Sequence, residues 1–342
     1  MKFMVRSILV LWSVMAITTA CNSQEAPAFI SWMNEPNKPT SAQKVTKANK
    51  QRISHILERM VGINIAQSEP YKAEMRTFLD SIAKVSKARL EWQDFTVTAN
   101  NGIATIGKNG IYKLNTGKNL PIWILGAHYD VEKGSPGADD NVSGMAAMLE
   151  LLLSFSATEL QKEIHFVAFD LEELGLFGSQ KYFNSLSSAE KSRIKAMINM
   201  DMIGYVSDQP NSQQVPPGFG SVFPNVVKAI NEQDNRGNFA IAVANTPAKA
   251  LLKSISKKQD DYSPELRTAY LILPNAGRNV PTFRRSDHVH FWDAQIPAIF
   301  LGDGADTRNP HYNTTMDNLE DLNQDHIQSI ATWILNVITY SE

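Results

Sequence analysis

The chain has 342 residues, 43% of them hydrophobic, with Lys+Arg 33 against Asp+Glu 35. That is the composition of a globular protein large enough to bury a substantial core. The near-balanced charge offers no electrostatic footprint for nucleic acid. After the first twenty residues no run of apolar residues is long enough for a membrane span.

The N-terminus reads as an export signal. Lys2 and Arg6 precede the apolar run "SILVLWSVMAITTA", which is too short for a comfortable transmembrane helix. The single cysteine, Cys21, follows directly in "ITTAC". This resembles the lipobox of bacterial lipoproteins, with Thr18 at the third position before the Cys instead of the more usual Leu. The resemblance implies a signal peptide over 1–20, lipidation of Cys21 and a protein held at a membrane by acyl chains, in the periplasm or at the outer membrane or cell surface. A plain signal peptide followed by a chance cysteine is the simpler alternative. Residues 22–43, rich in Pro, Asn and Ser, are expected to form a tether.

Two helical patterns come next. Val45, Ile53, Ile56, Leu57 and Met60 share a face, and so do Met75, Phe78, Leu79, Ile82 and Val85. Residues 92–116 read as β-structure with a turn of Gly and Asn. Strands and helices then alternate: strand 120–128, helix 141–155, strand 163–171, a helix starting at "GSQKYFNSL", and strand 194–204. Further strands are expected at 269–274 and 296–302, and a closing amphipathic helix at 325–341. The alternation predicts an α/β fold with a mainly parallel central sheet flanked by helices. The polar stretch 206–244 is expected to run over that sheet, within a single domain spanning 44–342.

In open α/β sheets, sites form beyond the carboxyl ends of the strands. Here those ends are polar in one consistent way. The first gives His128 and Asp130 ("GAHYD"), and the loop after it Asp139 and Asp140 ("GADDNVSG"). The next gives Glu172 and Glu173 ("FDLEELG"), and the one after it Asp201 ("NMDMIG"). One imidazole among several carboxylates suits a divalent metal, zinc in particular, and two metals sharing a carboxylate would make a hydrolytic centre. Each residue alone has an ordinary structural reading: a solvated His, an Asp at a helix cap, a surface Glu pair. Their joint order argues against coincidence. The chain has no G-x-S-x-G nucleophile elbow, and "GDGAD" lacks the Lys-Ser/Thr of a phosphate loop.

The blocks "GAHYDVEKGSPGADDNVSG", "FVAFDLEELGLFGSQ" and "NMDMIGY" resemble the signature blocks of the M28 family of zinc peptidases, over roughly residues 45–340. "RRSDHVHFWDAQIPAIFL" resembles a further block of that family. The resemblance implies a phosphorylase/hydrolase-like zinc exopeptidase fold holding one or two zinc ions. It implies His128 and Asp201 on one metal, Asp139 as the bridge, Glu173 on the other metal, and Glu172 as the general base. Asp130 is expected to accept the second N–H of His128, and His288 to sit beside the site as a donor toward the substrate. His165, His55, His290 and His326 are expected in the core or at the surface.

The last ligand of the family is a His in a late Tyr-His-Thr step. Aligned on "NPHYNTTMD", that position is Asn313, with His311 two residues earlier. Three readings stay open: ligation through the Asn313 carbonyl, a slide that brings His311 to the metal, or a weak or empty second site. The expected activity is that of a metal-dependent aminopeptidase acting on peptides outside the cytoplasm through a metal-activated water. Alternatives are a glutaminyl-cyclase-like acyltransferase on the same scaffold and a binding lipoprotein that has lost turnover. Phe219, Phe223, Phe283, Arg284 and Arg285 are expected to line or cover the cleft. Either arginine offers a carboxylate contact, although exposed basic residues are the plainer reading.

Overall fold

The computed structural model describes residues 28–38, 45–66, 71–86, 88–98, 102, 104–117 and 119–341. The export segment and Cys21 lie outside them. The chain begins with a short strand, β1 (Ile30–Asn34), and two helices, α1 (Lys50–Ala66) and α2 (Tyr71–Ser86). An antiparallel pair follows, β2 (Arg89–Thr98) with β3 (Ala104–Leu114). The α/β unit is β4 (Ile122–His128), α3 (Gly144–Phe155), β5 (Glu163–Phe169), α4 (Phe177–Ser185), α5 (Ser188–Arg193) and β6 (Ile194–Met200). The second half contributes α6 (Pro224–Asn231), β7 (Ala240–Asn245), α7 (Lys249–Lys257), β8 (Thr268–Leu273), β9 (Ala298–Gly302) and the closing helix α8 (Gln324–Tyr340).

The nine strands form one mixed sheet in the order β1-β8-β7-β9-β6-β4-β5-β3-β2. The central strands β9, β6, β4 and β5 are parallel, while β2, β3 and β1 join antiparallel. β7 and β8 run parallel to each other but opposite to β9. The parallel arrangement read from the strand–helix alternation therefore holds at the centre and gives way at the margins.

Both faces of the central strands are buried, which explains their unbroken apolar runs. Trp123, Leu125 and Ala127 of β4 face the cluster built with α1, α2, α3 and α8. Ile122 and Ile124 face the opposite cluster, with Tyr182 of α4, Val226 and Ile230 of α6, and Trp292. Successive strand residues point to opposite faces, so one strand feeds two cores. All the central parallel strands then deliver their carboxyl ends to one rim, where the polar residues collect.

Two strands depart from the sequence expectation. Residues 30–34, assigned to the tether, pair with β8 from Ile30↔Ile272 to Asn34↔Thr268. The reason is period-two patterning: Ile30 and Trp32 pack on one core, Phe29 and Met33 on the other. Trp32 stacks on Tyr270 with ring centroids 5.0 Å apart. Likewise β7 lies inside the stretch expected to run over the sheet, and it is an inner strand. Among the described residues no helix is long and apolar enough to cross a membrane.

A tether side chain could be truncated without consequence, whereas Trp32 covers half-buried core. Trp32→Ala is expected to lower the unfolding free energy by about 2 kcal/mol, below the cost of emptying a fully buried aromatic site. Denaturant melts of both proteins measure this, and an unchanged midpoint would return residues 30–34 to the tether.

Candidate metal centre

His128 is the last residue of β4 and is almost fully buried. Its Nδ1–H donates to the backbone carbonyl of Asp130 at 3.0 Å. A carbonyl only accepts, so Nδ1 carries a proton and Nε2 is the nitrogen left to bind a metal. Nε2 faces Asp140 Oδ1 at 3.2 Å and Asp201 Oδ1 at 3.5 Å. Asp130 thus holds the ring, through its main chain. Its carboxylate lies 3.6 Å from Nδ1 and has a different task. It accepts the backbone N–H of Glu172 at 3.1 Å and that of Glu173 at 3.2 Å.

The Glu172–Glu173 turn leaves β5 through Leu171, which has a positive φ of 60°. The N–H groups of Gly175 and Leu176 close it onto the Glu172 carbonyl, both at 2.8 Å. Below it, buried Asp170 accepts from Lys72 Nζ at 2.8 Å and from the Tyr129 hydroxyl at 2.9 Å, bracing the turn against α2. Asp201 follows β6; its amide donates to the Leu301 carbonyl at 3.0 Å, and its carboxylate accepts from Ser286 Oγ.

The structure corrects the expectation for Asp139. The carboxylate beside His128 belongs to Asp140. Asp139 is turned away: its Oδ1 accepts from the Gly204 amide at 2.9 Å and its Oδ2 from Asn309 Nδ2 at 3.0 Å. The backbone leaves helical geometry at Asp140 (φ −104°, ψ 86°) and Asn141 (φ −137°, ψ 41°), and the peptide bond between them is cis. Two adjacent carboxylates therefore point to different places. Asp317 holds this turn, accepting the amides of Asp139 at 2.9 Å and Asp140 at 3.1 Å. Sequence reasoning missed Asp317, Asn309 and Ser286; the one available signal was an Asp four residues after Asn313.

The donor atoms fall into two overlapping groups, His128–Glu172–Asp201 and His128–Asp140–Glu173, with all atoms of each within 4.8 Å of one another. Such crowding is unfavourable for charge. Burial, then the field of Asp140, pushes Glu173 up to about 8. Burial also raises Glu172 well above the ordinary carboxylate range; His128 opposes this, while Asp201, Asp287 and Asp140 add to it. Burial alone would lower His128, but Glu172 and the bonds to Asp130, Asp140 and Asp201 carry it well above the usual imidazole value. Glu173 Oε1 is buried with no hydrogen-bond partner. Buried carboxylates that repel one another around one free imidazole nitrogen fit a divalent cation, which would satisfy all of them at once.

The remaining candidates divide. His288 lines the same cavity as Glu172 and Asp201. Its Nε2–H donates to the Phe283 carbonyl at 2.9 Å, burial pushes it down to about 4, and its Nδ1 is buried without a partner. His311 instead pairs with Asp321, Nδ1 to Oδ2 at 2.7 Å, and joins neither donor group. The reading in which the loop slides to bring His311 to the metal is therefore corrected: its Nδ1 is taken by Asp321 and its amide donates to Asn309 Oδ1 at 2.9 Å. Asn313 sits in the left-handed region (φ 54°) with its Oδ1 buried and unpartnered.

Above the carboxylates opens a cavity of about 350 Å³. Its apolar wall includes Phe219, Phe223, Phe283 and Phe300, with Val226 and Ile230 of α6 behind them. Phe219 and Phe223 meet edge to face at 5.5 Å. Arg285 stands at the rim, bonded to Asp306 and to the Tyr312 hydroxyl, each at 3.1 Å. Arg284 does not line the cavity; Asp293 and the Ala276 carbonyl hold it.

Comparison with known proteins accords with this architecture. The chain is 28% identical to the Escherichia coli (strain K12) protein YfbL over 232 residues, 65% of this chain and 68% of that one. It is 28% identical to aminopeptidase YwaD of Bacillus subtilis (strain 168) over 253 residues, 73% of this chain but only 46% of the relative. The fold matches the structure of the aminopeptidase from Aneurinibacillus sp. strain AM-1, with a TM-score of 0.61 at 16% identity, covering 85% of this chain and 93% of that one. The model of peptidase family M28 matches residues 109–338, which include every donor at the strand ends, and the chain belongs to that family.

Proposed function

We propose that the protein is a zinc-dependent exopeptidase that removes N-terminal residues from peptides. One observation carries the reading: His128, Asp140, Glu172, Glu173 and Asp201 converge, and the four carboxylates among them line a largely apolar cavity that opens above. Asp140, Glu173, Asp201 and His128 would hold metal there. When bound, it supplies Lewis-acid polarisation of the scissile carbonyl and a more acidic water.

The chain's own groups perform the rest. Glu172 takes a proton from the attacking water. Its high affinity for that proton, set first by burial, lets it keep the proton until the amine leaves and then hand it over. Asp130 holds the Glu172 and Glu173 amides, which keeps that carboxylate on the cavity side of the turn. The phenylalanine wall excludes water and accepts an apolar side chain next to the scissile bond.

Export and lipid anchorage through Cys21 complete the proposal, on the signal-like N-terminus alone. Cys21→Ser is expected to move the protein from the membrane to the soluble fraction of its host; unchanged fractionation would remove the anchor.

Glu172→Gln is expected to lower kcat/KM on leucyl and phenylalanyl substrates by about 10³-fold while metal content stays the same. Turnover equal to the parent protein would sink the role of Glu172, and equal rates on aspartyl substrates would sink the apolar preference.

Metal affinity should also depend on pH. Glu173 binds metal only as a carboxylate, and burial with the field of Asp140 pushes it up to about 8, while His128, which must also be unprotonated to bind, is held well above its usual range. Binding must expel these protons, so affinity falls as pH falls. Chelator competition at pH 6 and pH 8 is expected to show zinc held at least about tenfold tighter at pH 8. A flat profile would contradict Glu173 as a ligand.

A further inference from the structure

The two metal positions are not chemically equivalent in this chain. His128 has a single free nitrogen, Nε2, because Nδ1 is committed to the Asp130 carbonyl. One lone pair serves one cation. Neither His288 nor His311 joins a group of metal-capable donors, and His311 is bound to Asp321. If His128 and Asp201 hold one cation, the neighbouring position is left with oxygen alone.

Two carboxylates belong to that position, and an amide oxygen on the neighbouring loop is unclaimed. Asp140 Oδ1 lies beside His128, and Glu173 belongs to the same donor group. Asn313 Oδ1 is buried with no hydrogen-bond partner, as is Glu173 Oε1. The Asn313 loop is fastened to the Asp140 turn, since Asp317 accepts the amides of Asp139 and Asp140 while its own amide bonds to the Thr314 carbonyl at 3.4 Å. Tyr312, the neighbour of Asn313, lines the same cavity as Asp140 and Glu173.

Zinc gains most from imidazole and thiolate; carboxylate and amide carbonyl oxygens suit manganese, magnesium and calcium. We infer that the centre is asymmetric: the His128–Asp201 position retains zinc, and the Asp140–Glu173–Asn313 position holds an exchangeable, oxygen-preferring divalent cation of the Mn²⁺ class. This rests on the metal-dependent reading above. It makes Asn313 a determinant of which ion occupies the second position.

The test measures metal, not turnover. The full chain is saturated with zinc, dialysed against a weak zinc chelator, assayed for zinc content, and then titrated with Mn²⁺ while the electron paramagnetic resonance of free Mn²⁺ is followed. One retained zinc and one bound Mn²⁺ per chain are expected. Asn313→His should retain two zincs and no longer take up Mn²⁺. Asn313→Ala should keep one zinc, which also reports that the fold is intact, and bind Mn²⁺ at least about tenfold more weakly. Two zincs retained by the parent protein, or a single zinc in Asn313→His, would overturn the asymmetry and leave the peptidase reading standing. No metal retained or bound by any of the proteins would overturn both.

Discussion

The centre depends on one residue, Asp130. Its carbonyl orients His128 and its carboxylate grips the Glu172 and Glu173 amides. Two strand ends, β4 and β5, are thereby locked together by groups that never need to touch a substrate. A carboxylate accepting two backbone N–H groups is stabilised in its charged form. Burial works against this, but pairing with His128 and the nearby charge of Lys72 hold Asp130 below the usual carboxylate range.

That neighbourhood is costly. Asp139, Asp140, Glu172 and Asp303 are all buried within a short stretch of space. The structure spreads the cost by giving the carboxylates away from the cavity separate backbone and amide donors. Asp139 takes the Gly204 and Asn309 donors, Asp303 the Tyr205 and Ala305 amides, and Asp317 the amides of the Asp139–Asp140 turn. Arg308, buried nearby, adds a cation that burial lowers to about 10. What is left without donors is the group facing the cavity, and unpaired buried carboxylates are an expensive feature to keep in a fold without a ligand to satisfy them.

The sheet makes this arrangement possible. Strands that run parallel end on the same rim, and each end turns sharply into a loop that exposes a side chain upward. The antiparallel margins contribute no donors; they extend the sheet and bury its faces. The second half of the chain supplies the apolar wall from α6, from Phe219 and Phe223 just before it, and from Phe283, so that chemistry and selectivity come from different segments.

The residue types at the strand ends were legible in the chain itself. Apolar runs followed by His128, Glu172–Glu173 and Asp201 place donors at the carboxyl ends of buried strands, because period and composition report burial directly. Phe219, Phe223 and Phe283 of the cavity wall were expected there only as part of the stretch thought to cover the cleft, and Phe300 was not. Choosing between Asp139 and Asp140 was not possible, since neighbouring residues of one type differ only in the direction that a non-helical turn gives them. The membership of β1 and β7 in the sheet was hidden as well: strands of five or six residues carry too little pattern, and their partner β8 is remote in sequence. Only tertiary structure turned His311 onto Asp321 and left the Asn313 oxygen unpaired, because those outcomes depend on what the folded loop meets, and a linear chain does not record its neighbours in space.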